Sequence, residues 1–168
     1  HQPRRQRQMC IRDRYNILTI ADKSRYLLPE TSYSSKMYDY VKGQYLEGKS
    51  WEEARDNVYE RYQVESKDGY NITSKKLYCN GCFAAGINFA ASLISLFWGE
   101  GNLKRTIKIG TLTGWDSDNP TSTWGGLIGF IIGKKGVEKE FNRKFSEKYF
   151  IHRTRPVSYT HLTLPTRL

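Results

Sequence analysis

Asp116, Asp118 and Asn119 place two carboxylates and a side-chain amide within one short stretch, Gly114-Trp115-Asp116-Ser117-Asp118-Asn119-Pro120. Oxygen-only donors at this spacing suit a hard cation, Mg²⁺, Mn²⁺ or Ca²⁺, which prefers carboxylate, carbonyl and water to nitrogen or sulfur. Gly114 in front and Pro120 behind describe a tight acidic loop feeding a helix, because proline presets φ for a first helical turn. An EF-hand begins in a similar way. Here its sixth position would be Thr121 rather than glycine and its twelfth Leu127 rather than the bidentate glutamate, so that reading fails. A purely structural reading stands beside the metal one: Asn119-Pro120 is also a helix N-cap followed by proline, and Asp116 can close an Asx turn. Ser117 is expected to point away from the carboxylates, and Trp115 to pack in the core rather than wall the site.

The elements that must position this loop are all helical by pattern. Trp124, Leu127, Ile128 and Ile131 follow helical spacing and predict a core face after Pro120, while Gly125, Gly129 and Gly133 form an i, i+4 row. Each interior glycine costs about 0.5–1 kcal/mol relative to alanine, a cost that a close helix–helix or ligand approach would offset. Upstream, Cys82 to Trp98 is apolar nearly all round and predicts a buried central helix. It contains Asn88, Ser92 and Ser95 and falls short of the roughly 20 residues that cross a bilayer. Asn102 caps a helix over Leu103 to Thr113, which delivers the chain to Asp116. Ser50 and Glu53 form a capping box opening a helix to about Gln63. Ser32 or Ser34 opens another, carrying Met37, Tyr38, Val41 and Tyr45 and ended by Gly48. Thr19 to Leu28 is weakly helical up to Pro29, and Val137 to Tyr149 reads as an amphipathic helix bearing Phe141 and Phe145. No strand-like alternation of any length appears, so the expected fold class is all-α, a helical bundle.

The loop residues Gly114, Asp116, Asp118 and Asn119 resemble the C-terminal metal motif of the ADP-ribosylglycohydrolase family, Gly-x-Asp-x-Asp-Thr followed by an Ala/Gly-rich helix. The resemblance extends through Asn80 to Ala91, Arg105 to Gly110 and Gly136 to Glu138; the departure is Asn119, where the family has threonine. It implies a binuclear Mg²⁺ or Mn²⁺ centre that hydrolyses the glycosidic bond between ADP-ribose and an acceptor. Asp116, Asp118 and Asn119 would be metal ligands, with Asp118 the candidate to bridge. In the family the other half of the centre comes from an N-terminal Thr-Asp-Asp-Thr type motif, which this chain lacks. The implied protein is the C-terminal part of such a domain, inactive alone, with no catalytic residue of its own and no assigned substrate-binding residue. Its partners would be an ADP-ribosylated protein or a small ADP-ribose conjugate, and the missing N-terminal half of its own domain. Two other functions stay open: an ADP-ribose-binding pseudoenzyme module, motivated by Asn119, and a helical interaction domain whose loop only caps a helix.

The ends read differently from the middle. Arg4 to Asp13 can be encoded by DNA whose reverse complement translates as Val157 to Thr166. Both ends thus match one oligonucleotide in opposite orientations, and they resemble translated sequencing-adapter DNA. Residues 1–14 and 156–168 are therefore expected to stand outside the fold, leaving 15–155 as its domain. The chain holds 27 basic and 17 acidic residues, an excess of +10. Half of that excess sits in the ends, where Arg4, Arg5, Arg7, Arg12, Arg14 and Arg167 face one acid, Asp13. The remaining charge is scattered, so no nucleic-acid or membrane partner is expected. Cys79 and Cys82 are too few for a zinc site and are read as free thiols. With no secretory segment, free thiols point to a cytoplasmic setting. Deleting residues 1–13 and 157–168 is expected to leave the melting temperature unchanged; a drop of more than about 4–8 °C in a thermal scan would show that the ends fold with the rest.

Overall fold

A computed structural model describes residues 18–71 and 81–146, together with the backbone of 148–152 and 155–158. It is a helical bundle, as the pattern requires. The elements are α1 (18–25), α2 (Tyr33–Leu46), α3 (Trp51–Val58), a π-helical turn (Tyr59–Val64), a short 3₁₀ turn (Lys67–Gly69), α4 (Ala85–Gly99), α5 (Leu103–Thr113) and α6 (Asp118–Phe141). A hairpin follows, β1 (Lys148–His152) antiparallel to β2 (Arg155–Ser158).

Polar side chains cap α2, α3 and α5. Ser32 accepts from the Ser35 N–H to open α2, and Asn102 accepts from the Arg105 N–H at 2.8 Å to open α5. The Ser50 box is complete: its hydroxyl accepts the Glu53 N–H at 3.2 Å, and its own N–H donates to the Glu53 carboxylate at 2.8 Å. α1 is tied to α2 by Arg25, whose guanidinium meets Asp39 at 2.8 and 3.0 Å. α4 has no cap of its own, since its N-cap position is Ala84. The buried Tyr70 hydroxyl supplies the missing acceptor, taking the Ile87 N–H at 3.2 Å. α4 thus starts at Ala85 rather than Cys82, because residues 81–83 turn to bring its first amides under Tyr70.

α4 is the centre of the bundle and touches α2, α3, α5 and α6. Ile87, Ala90, Ile94 and Phe97 are fully or almost fully buried. Around them Tyr38 and Tyr45 approach Phe97 with centroids at 5.7 and 5.8 Å, and Tyr62 meets Tyr70 edge-on at 5.9 Å. The close approaches fall at Gly86 and Gly99: a Cβ on Gly86 would lie 2.2 Å from the Tyr70 ring, and one on Gly99 2.1 Å from the Thr106 hydroxyl.

The expected glycine row of α6 is not the site of close packing. A Cβ on Gly125 or Gly129 would meet its nearest neighbour at 3.6 Å, an ordinary contact, and Gly133, at φ 69 and ψ 171, breaks the helix instead. Nor is the expected core face of α6 wholly buried. Ile128 is, and the Trp124 indole N–H reaches the Ser92 carbonyl at 2.8 Å. Leu127 and Ile131, however, are 50 % and 72 % exposed, and Phe130 is 86 % exposed. Helical spacing marked an apolar stripe, but the bundle covers only the edge of it that faces α4 and α5. The predicted terminal helix also ends early, at Phe141, where Asn142 turns left-handed (φ 49), and the hairpin begins at Lys148. β2 runs across the expected boundary at residue 155, whereas the boundary at residue 14 lies outside the described residues. Removing the acceptor over α4 with Tyr70→Phe leaves a buried N–H unpaired. It should destabilise the fold by about 1–3 kcal/mol, seen as a lower urea midpoint at unchanged slope; an unmoved midpoint would contradict this capping role.

Candidate metal loop

The loop between α5 and α6 is made by two unusual backbone conformations in succession. Gly114, at φ 93 and ψ −153, lies in a region that is essentially glycine's alone. Trp115 follows at φ 53, a left-handed conformation that a bulky residue adopts only when its surroundings hold it there. They do: the Trp115 indole N–H donates to the Gln63 Oε1 at 2.6 Å, and the ring packs against the core. The Asp116 N–H then donates to the Asn88 Oδ1 at 3.1 Å. Asn88, itself 6 % exposed, turns its amide nitrogen to the carbonyls of Cys82 (2.8 Å) and Ala84 (3.1 Å).

α6 begins at Asp118, so the N-cap position falls to Ser117, which makes no side-chain cap. The structural alternative, Asn119 as N-cap with Pro120 next, is therefore displaced: Asn119 and Pro120 both sit inside the first turn, where a missing proline N–H is harmless. Ser117 contributes its carbonyl, which accepts from the Thr121 hydroxyl at 2.8 Å. Asn119 turns its amide nitrogen to the Asp116 Oδ2 at 2.7 Å. A cation seated between these two side chains would require the Asn119 amide to turn over and present its oxygen.

Asp118 comes close enough to Asp116 to perturb it. The Asp116 carboxyl titrates above the ordinary aspartate range, first because the Asp118 carboxyl shares a hydrogen bond with it, then through desolvation and the Asp118 charge; the Asn119 amide opposes the rise. A pair of carboxylates that disfavours its own double ionisation is a donor set that a divalent cation relieves. The set is small. Among the described residues no group of three or more His, Cys, Asp or Glu side chains converges.

Asp116 and Asn119 open on a cleft of about 380 Å³ whose other walls include Phe83, Asn88, Phe89 and Ser92. In the sequence Asn88 and Ser92 stand only as polar interruptions of an apolar helix, and nothing local marks a role for Phe83, Phe89 or Gln63. Cys82 corrects a further expectation: it is disulfide-bonded rather than a free thiol, and its partner lies outside the described residues. The thiol argument for a cytoplasmic setting therefore falls away. What stands is that no described helix is long and apolar enough to cross a membrane. Comparison with protein-family models, with curated proteins and with solved structures finds no match for this chain.

The raised Asp116 carboxyl fixes the sign of a pH effect. A carboxyl whose pKa is higher in the folded than in the unfolded state favours folding while it stays protonated. That contribution is lost as pH rises through its folded midpoint. A carbon-detected titration should place Asp116 above the usual value of about 3.9, and Asp118→Asn should return it there. A midpoint at or below that value in the unchanged protein would contradict the loop geometry.

Proposed function

We propose that the chain carries one half of a divalent-cation site in an ADP-ribosylglycohydrolase-like hydrolase. The observation that carries the reading is the pairing of the Asp116 and Asp118 carboxyls in a turn held by Gly114 and Trp115, where neither caps the helix that follows. Asp118 also meets the positive end of α6 in its first turn, but that role calls for no second carboxylate beside it. Asp116 and Asp118 would hold Mg²⁺ or Mn²⁺, with Asn119 completing this side once its amide turns over. Such a cation would orient a water and the ribose hydroxyls of an ADP-ribose conjugate for attack at the anomeric carbon. The residues themselves hold and space the charge, and Phe83 and Phe89 give the adjoining cleft an apolar wall.

On this reading the chain is part of a larger centre and inactive alone, because the family resemblance puts the other half of the centre on an N-terminal motif. The exposed run of Leu127, Phe130 and Ile131 on α6 supports the same reading, as an apolar face shaped to meet further protein. ADP-ribosylated protein, or a smaller ADP-ribose conjugate, is the proposed substrate class.

Free Mn²⁺ at ten times its Kd should stabilise the folded chain by about 1.4 kcal/mol through mass action. An Asp116→Asn, Asp118→Asn double variant should lose that gain, and Ser117→Ala should keep it. Calorimetric Mn²⁺ affinity retained in the double variant would contradict the site.

A further inference from the structure

The groups that fix the acidic loop come from outside it. Beyond α3 the helix widens into the π turn, with the Glu65 N–H reaching the Glu60 carbonyl five residues back at 2.9 Å. The wider turn carries both Tyr62 and Gln63 inward, so that Gln63 is 2 % exposed although it is polar. A buried side-chain amide is costly without hydrogen bonds, and Gln63 gives its oxygen to the Trp115 indole at 2.6 Å. Asn88 does the equivalent from α4, giving its oxygen to the Asp116 N–H. Two buried amides from two helices therefore grip consecutive residues, Trp115 and Asp116. One of these has a backbone conformation that its local sequence does not favour. α6 opens two residues later without a side-chain cap, and of the gripped pair only Asp116 meets its first turn, its carbonyl accepting the Asn119 N–H at 3.0 Å.

We propose that Gln63 and Asn88 are positioning residues that set the Asp116 and Asp118 carboxylates for their cation. The proposal rests on the metal-site reading above. The π turn exists, on this account, to aim Gln63. Groups that orient ligands typically change metal affinity by 10–100-fold when removed, and these two act through Trp115 and the Asp116 backbone rather than by touching the ion.

The test uses the whole chain and Mn²⁺ alone, with affinities measured by calorimetry well below each variant's melting temperature. Gln63→Met and Trp115→Phe should each weaken Mn²⁺ binding about tenfold, and the two together no further, because both remove one hydrogen bond. Asn88→Ala should weaken binding by at least as much and speed amide exchange at Asp116 in the metal-free chain. A merely structural role would lower the melting temperature and leave the affinity of the folded protein unchanged. Unchanged Mn²⁺ affinity in both Gln63→Met and Trp115→Phe would overturn the inference while leaving the metal site standing. Wild-type affinity no greater than that of Asp116→Asn, Asp118→Asn would overturn the metal reading, and this inference with it.

Discussion

α4 is apolar on almost every face, so the rest of the molecule must be arranged to cover it. That requirement places α2, α3, α5 and α6 around one helix and draws Tyr38, Tyr45, Tyr62 and Tyr70 in among its side chains. A helix buried this completely cannot leave its polar atoms to water. Its first turn takes an acceptor from Tyr70; Ser95 donates to the Thr106 carbonyl at 2.8 Å; and Asn88 satisfies its amide on the Cys82 and Ala84 carbonyls and the Asp116 N–H. Solving the hydrogen-bond problem of the central helix and holding the acidic loop are thus, at Asn88, one contact.

The loop inherits its rigidity from that core. Gly114 allows the chain to leave α5 in a direction that no other residue takes without strain, and Trp115 then plugs back into the bundle beside Gln63. Asp116 and Asp118 are left close to each other at the surface, with a cleft alongside. Two like charges brought together by a well-packed frame imply a compensating positive charge more readily than they imply a stability role. That charge argument for a cation holds without any family resemblance.

Much of the frame was legible in the residues. Ser50-x-x-Glu53 and Asn102 marked helix starts because side-chain caps are local chemistry, readable from four residues. Met37, Tyr38, Val41 and Tyr45 marked a buried face because a helix with one apolar stripe has one way to turn. α6 was harder: its stripe was visible, but whether Leu127 and Ile131 are covered depends on which partners the bundle supplies, and no local pattern encodes that. The cap of α4 was illegible for the same reason, since Tyr70 and Ile87 are 17 positions apart. At the site, the carboxylates could be named from spacing alone. The buried amides that hold them could not, because Gln63 looks like any polar residue near a helix end until the π turn carries it inward.

The proposal that Asp116 and Asp118 hold a divalent cation can be checked by adding substoichiometric Mn²⁺ to isotope-labelled protein and recording which backbone amide signals broaden. Trp115 to Asn119 should broaden first, followed by residues at the start of α4, while the segment beyond Gly133 stays sharp. Broadening centred on another acidic pair, such as Glu138 and Glu140 on α6, with the loop unaffected, would contradict it.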